Sequence, residues 1–204
     1  MSHTTVSQPE YDSNGLLMRD VLGDGSCGYR AVMFGVLEHN WAKAVDALPV
    51  QVSSRLPQRR PKDIVQFFHD HDALLCQAAR DLVAHQIKTD TEIQTWAGNP
   101  EDTTTEAAKA LHDAKTPFAY MDEIALHAMA KIFRTRIAVM FRNDVLVAPF
   151  KDHTDARPVG VCLKPLADAA PSDFVGHYML CYPGRVLANN VIEINPWVHT
   201  TQTV

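Results

Sequence analysis

Gly23-Asp24-Gly25-Ser26-Cys27-Gly28-Tyr29-Arg30-Ala31-Val32 crowds four turn-forming residues against one cysteine and then runs straight into an apolar stretch. Gly23 to Ser26 is a strong turn signal. From Cys27 onward the pattern is helical, with Ala31, Phe34 and Gly35 on the face of Cys27, because residues three and four apart are neighbours on a helix. A cysteine at that junction has two physical readings. Free cysteine is among the most buried residue types, which favours packing. The first turn of a helix favours negative charge and carries N–H groups with no partner inside the helix, which suits a thiolate and the oxyanion it generates. The turn by itself leaves both readings open. The chemical one also needs an imidazole to take the thiol proton.

The rest of the chain sets the frame. It has 204 residues, a length that suits one domain with a sizeable core. Hydrophobic residues make up 46% and charged residues 21%, the balance of a globular protein. The formal net charge of -5 argues against a nucleic-acid binder, which needs a basic patch or stripe. Residues 1–10 are polar and carry no apolar signal core, and no apolar run approaches a membrane span. Cys27, Cys76, Cys162 and Cys181 form no Cys-x-x-Cys pair, so a thiolate zinc site is not expected. Free thiols fit a reduced, cytoplasmic setting, which becomes the host cytosol if the chain is a translocated bacterial or viral protein.

Along the chain, residues 1–15 read as a loose tail, 16–195 as one domain and 196–204 as a second tail. Residues 16–22 are a short apolar lead-in. Pro49 to Pro61 reads as loop, and a long helix is predicted over 62–87 from the spacing of Ile64, Phe67, Phe68, Leu75, Ala78, Ala79, Leu82 and Val83. Residues 89–105, with Gly98, Pro100 and several threonines, read as an exposed loop. A short helix follows at 105–114, and Asp122 is the predicted N-cap of another that runs to Phe133. The period then changes: 136–141, 145–150, 159–163 and 174–182 are rich in β-branched and aromatic residues, with a last short strand at 191–194. Helices first and strands later predict an α+β fold, helices packed around a small, mostly antiparallel sheet.

Asp24 to Ala31 resembles the nucleophile motif of the OTU (ovarian tumour) family of cysteine proteases, in which Asp-Gly-x-Cys precedes an aromatic and Arg-Ala. Tyr120 to Ala130, followed by the strand at 137–140, resembles the family's middle helix, and Gly176-His177-Tyr178 resembles the start of its final catalytic strand. The resemblance spans about residues 16–182. It implies a papain-related fold and cleavage of ubiquitin, or polyubiquitin, from lysine, with no metal or cofactor. It implies Cys27 as nucleophile, His177 as base, the backbone of Gly25 and Ser26 as oxyanion hole, and Asp24 as a brace counted with the catalytic residues. Two other readings stand beside it: a catalytically weak or inactive ubiquitin-binding module of the same fold, and a Cys–His protease for another ubiquitin-like modifier.

His177 is selected among ten histidines by its place after Gly176 at the head of an apolar strand. His69 and His71 are two apart on a helix and form a poor chelate; His127 reads as packing or surface. The family places an Asn or Asp two residues after the histidine, where this chain has Met179, a poor acceptor. If Pro183-Gly184 is a two-residue turn, Asn190 falls opposite His177 and is the first-ranked orienting residue. If Asn189-Asn190 is the turn, both point away. Asp12, Asn14 and Asp20 are the other candidates.

Overall fold

The computed structural model describes residues 5–11, 17–141, 144–148, 159–165 and 176–182. The chain opens with β1 (Glu10–Tyr11) and β2 (Leu17–Arg19). Helices follow: α1 (Cys27–His39), α2 (Trp41–Ala47), α3 (Val50–Ser53), α4 (Ile64–Thr89), α5 (Thr91–Ala97), α6 (Glu106–Lys115) and α7 (Glu123–Ile132). Then come β3 (Ile137–Phe141), β4 (Asp144–Ala148), β5 (Val159–Pro165) and β6 (Gly176–Cys181). The strands form one sheet in the order β1-β2-β6-β5-β3-β4. Every neighbouring pair is antiparallel except β3 with β5. The expectation of helices packed around a small, mostly antiparallel sheet holds, with one parallel pair inside it.

α1 is the buried helix between the sheet and α4, and α4 in turn carries α6 and α7. Every residue from Cys27 to Leu37 is buried, so it has no solvent face. A helix that is apolar on all sides belongs inside a protein. It lies against β5 and β6 on one side and α4 on the other, where Phe34 meets Phe68 edge to face at 5.3 Å. Glycine permits the close approach to the sheet: a Cβ on Gly35 would stand 2.6 Å from Val159 Cγ1 and 2.8 Å from Leu180 Cδ1. α4 matches the long helix expected at 62–87 and begins where Asp63 accepts the Gln66 N–H. α7 begins as its sequence indicates, with Asp122 Oδ1 accepting the Ala125 N–H at 2.8 Å.

Three expectations need correction. Residues 89–105 are not all loop. Asp90 accepts the N–H groups of Glu92 and Ile93 and starts α5, whose Ile93 and Ala97 are buried. Its threonines read as loop-formers, but a good N-cap and a buried face outweigh weak propensity. Part of the 49–61 loop is the short α3. The stretch 5–11 is not a loose tail: Thr5 and Val6 are buried, Val6 bridges Val21, and β1 pairs with β2. One apolar residue placed in the core, with backbone pairing on either side, holds a segment whose composition is polar. The strand expected at 191–194 lies outside the described residues.

Substitution of Gly35 by alanine sets two effects against each other. Alanine is the better helix former by about 1 kcal/mol, whereas overpacking a tight contact costs about 1–3 kcal/mol. With two side-chain carbons of the sheet inside 3 Å, packing dominates. Gly35→Ala is expected to lower the urea unfolding midpoint with the slope unchanged; a raised midpoint would show that the helix–sheet contact has slack.

Candidate active site

The turn that opens the chain's central helix is built by charge. Asp24 Oδ1 accepts the Ser26 N–H at 2.9 Å, and both Asp24 oxygens accept from the Arg30 guanidinium at 2.9 and 3.0 Å. The same guanidinium donates to both oxygens of Asp72 on α4, at 2.8 and 2.9 Å, and to the Leu22 carbonyl at 2.6 Å. Burial alone would raise the Asp24 carboxyl, but Arg30 and the Ser26 N–H outweigh it and hold the group below the usual carboxylate range. Gly25 sits at φ +85°, and a Cβ there would run into the Phe118 carbonyl oxygen. Only glycine combines that backbone with so close a neighbour.

A second buried arginine locks the turn from the other side. Arg80 donates to Ser26 Oγ at 3.1 Å and to the carbonyls of Asp113, Thr116 and Ala119 at 3.1, 3.2 and 2.7 Å, with its guanidinium 4.2 Å from the centre of the Tyr29 ring. It joins the start of α1 to the loop before α7. That loop places Tyr120 at the edge of a cleft of about 290 Å³ that is also lined by Asp20, Val21, Gly23, Cys27 and His177.

Cys27 is the first residue of α1 and is only 1% exposed. Its sulfur accepts the Tyr178 N–H at 3.4 Å and lies 3.9 Å from the Gly176 carbonyl oxygen, so β6 crosses directly over it. His177 stands between those two residues in the strand, and its side chain and that of Cys27 line the same cleft. Its Nε2 is 2.6 Å from Asp20 Oδ1. A carboxylate there accepts a hydrogen bond from Nε2–H and leaves Nδ1 as the nitrogen for the sulfur. Gly23 clears space for the ring, since a Cβ on it would sit 3.1 Å from Nδ1. Hydrogen bonding to Cys27, and then to Asp20, raises the His177 imidazole to about 9 against the opposing effect of burial. The stabilisation that its proton supplies is therefore complete below about 6.5 and is lost as the pH rises through about 9.

The structure thus brings Cys27, His177 and the turn of Gly25 and Ser26 to one place. Asp24 is beside them, but its carboxylate faces Arg30 and Ser26, the position of a brace. The Ser26 N–H is taken by Asp24, so it is no free oxyanion donor; the first-turn N–H of Cys27 is the group a helix leaves without an internal acceptor. Asn190, Asp12 and Asn14 lie outside the described residues. Of the four orienting candidates, Asp20 is the one described, and it meets the ring.

The reason is register. Met18 pairs with Cys181 and Arg19 with Leu180 across β2 and β6. Continuing that register by one residue sets Asp20 opposite Met179, and diagonal neighbours of an antiparallel pair reach each other. The acceptor missing from position 179 is supplied from the facing chain. Sequence reading ranked Asp20 low because nothing local indicates that β2 pairs with β6. Arg80 was missed altogether; a lone arginine on an apolar helix face, inside Ala78-Ala79-Arg80, was the available signal.

His69, His71 and His127 serve elsewhere. His69 Nδ1 is 2.8 Å from Thr5 Oγ1, His71 stacks on Phe67, and His127 meets Trp96 edge to face. Cys76 and Cys181 are buried and Cys162 is half-buried.

No protein-family model and no curated protein matches the sequence. Solved structures do. The chain is similar to a complex of ceOTUB1 with ubiquitin aldehyde and UBC13~Ub, with a TM-score of 0.60 and 16% identity, over 89% of this chain and 94% of that one. It is similar to h/ceOTUB1 with ubiquitin aldehyde and UBC13~Ub, with a TM-score of 0.62 and 15% identity, over 88% and 91%. A third, h/ceOTUB1 with ubiquitin aldehyde and UBCH5B~Ub, gives a TM-score of 0.57 and 15% identity, over 88% and 90%. The chain has an OTU-like α+β fold.

The role of Asp20 has a direct measurement. Asp20→Asn removes the carboxylate charge at Nε2, so the ring titration of His177, followed by NMR, is expected to move down from about 9. Met179→Leu is expected to leave it in place. An unchanged titration in Asp20→Asn would mean that the sulfur alone holds the imidazolium.

Proposed function

We propose that the chain is a thiol-dependent deubiquitinase that hydrolyses the isopeptide bond between the ubiquitin C-terminal glycine and lysine. The observation that carries this reading is the array Cys27–His177–Asp20 at the first turn of a buried helix in an OTU-like fold. The likeness to OTUB1 structures that hold ubiquitin aldehyde supports ubiquitin as the modifier.

The chemistry follows from the geometry. Nδ1 of His177 takes the Sγ proton, and the imidazolium that results is stabilised by Asp20. The thiolate attacks the carbonyl carbon of the terminal glycine. Charge builds on the carbonyl oxygen, where the Cys27 N–H and the positive end of α1 oppose it. The tetrahedral intermediate collapses, the C–N bond breaks, and the lysine amine leaves with the proton from His177. A thioester of ubiquitin on Cys27 remains. Water gives a proton to His177 Nδ1 and attacks that thioester; the C–S bond breaks, the ubiquitin carboxyl loses its proton to solvent, and Cys27 and His177 are left sharing one proton as before. Met179 is the feature that argued for a binding-only module; Asp20 at the ring removes that argument.

Hydrolysis of the full set of di-ubiquitin linkages by the wild-type chain, Cys27→Ala and His177→Ala tests the reading. At least one linkage is expected to be cut, with no turnover in Cys27→Ala and a fall of about 10²–10⁴ in His177→Ala. Ubiquitin with a thiol-reactive C-terminus is expected to add once, at Cys27. Failure of both, with Cys27 still open to iodoacetamide, would overturn the assignment to ubiquitin.

A further inference from the structure

We propose that the N-terminal arm belongs to the catalytic apparatus, with Ser7 as the residue that positions Asp20 against His177. The Asp20 side chain is 63% exposed, and an exposed carboxylate is ordinarily free to rotate. What restrains it is backbone. Asp20 Oδ1 accepts the Val21 N–H at 2.8 Å as well as facing His177 Nε2 at 2.6 Å. The Val21 N–H and the Asp20 carbonyl are the two ends of one planar peptide unit. Ser7 holds the other end of that plane: its N–H donates to the Asp20 carbonyl at 2.8 Å. Ser7 Oγ accepts the Asp20 N–H at 2.8 Å and donates to the Gln8 carbonyl at 2.9 Å, so the hydroxyl proton is turned away and a lone pair faces Asp20. Both backbone polar groups of Asp20 therefore end on Ser7. A twist of the peptide plane off Ser7 moves the Val21 N–H that aims Oδ1 at the ring.

Ser7 is itself anchored. Its carbonyl accepts from Arg19 at 2.8 Å. Thr5 accepts the Leu22 N–H through its carbonyl, and its hydroxyl meets His69 on α4. Val6 is 1% exposed and bridges Val21. These ties run from the arm through residues 20–22 to the site; Ser7 touches neither Cys27 nor His177 among the described contacts. Among the described residues, the groups that face His177 are Cys27 from α1, Asp20 after β2, Tyr120 before α7 and Lys164 on β5. Ser7 reaches Cys27 and His177 through Asp20.

The inference rests on the Cys27–His177–Asp20 array being a working thiol-activating unit, and its test needs no ubiquitin. The full chain is compared as wild type, Ser7→Ala, Ser7→Thr, Asp20→Ala and the double variant Ser7→Ala/Asp20→Ala. The readouts are the alkylation rate of Cys27 by iodoacetamide from neutral to alkaline pH and the NMR titration of the His177 ring. Ser7→Ala is expected to slow alkylation at neutral pH about fivefold, the worth of one hydrogen bond, and to move the ring titration down from about 9. Ser7→Thr, which keeps the hydroxyl, is expected to match wild type. In the Asp20→Ala background, loss of Ser7 is expected to add nothing, the signature of one residue acting through another. If Ser7→Ala lowers the unfolding midpoint, the isosteric pair Ser7→Thr and Ser7→Val carries the comparison. Effects of Ser7→Ala and Asp20→Ala that multiply, a Ser7→Ala variant with wild-type rate and titration, or an Asp20→Ala variant with an unaltered ring would each overturn the proposal. Failure of di-ubiquitin hydrolysis with these outcomes intact would count against the substrate and leave the positioning role standing.

Discussion

The Arg30 guanidinium, buried between Asp24 and Asp72, is the interaction on which the site depends. Its four hydrogen bonds to the two carboxylates join the turn before α1 to the long helix α4, and a fifth holds the Leu22 carbonyl. A buried ion group of this kind is not evidence of high stability, because desolvation offsets much of the Coulomb attraction. Its value is directional. Planar, bidentate geometry fixes the direction from which each carboxylate approaches. Asp24 then fixes Ser26, Ser26 begins the helix, and Cys27 follows with a single backbone trajectory.

Arg80 supplies the complementary restraint. Its donors reach three carbonyls around the α6–α7 connection and the Ser26 hydroxyl. The connection is consequently held against the turn before Cys27, with the Phe118 carbonyl in the space that a side chain on Gly25 would occupy. Phe118 itself adopts φ 62°, a left-handed backbone that a bulky residue accepts only when its surroundings over-determine it. Two buried arginines thus take the place of extra apolar packing on both sides of one turn. The cleft wall at Tyr120 inherits its position from the same network that positions the thiol.

On the far side of the cleft the restraint is a strand pairing. An imidazole beside a thiol needs its other nitrogen occupied, or the ring rotates and its tautomer is undefined. β6 offers Met179 two residues on, which cannot fill that role. The neighbouring β2 places Asp20 there, and the antiparallel register makes the two positions spatially equivalent. The geometry of a thiol, an imidazole and an acceptor is insensitive to which chain segment supplies the acceptor, provided that it arrives on the same face of the sheet.

The sequence by itself determined the fold class, the long helix α4 to within about two residues, the start of α7 at Asp122, the β-rich final third, and the identities of Cys27 and His177 as residues to be brought together. These depend on local quantities: apolar period, N-cap chemistry, turn residues and one short motif. Tertiary structure decided the rest. The helix at Thr91–Ala97 forms because Ile93 and Ala97 are buried, and the polar arm at residues 5–11 is ordered because Val6 reaches the core. Arg80 is a strut only because the turn before α1 and the α6–α7 connection converge on it. Asp20, one of four orienting candidates in the sequence, becomes the partner of His177 through pairing of two strands more than 150 residues apart. Such a pairing leaves no trace in either segment's own composition, because register is set by the faces that each strand buries against the remainder of the chain.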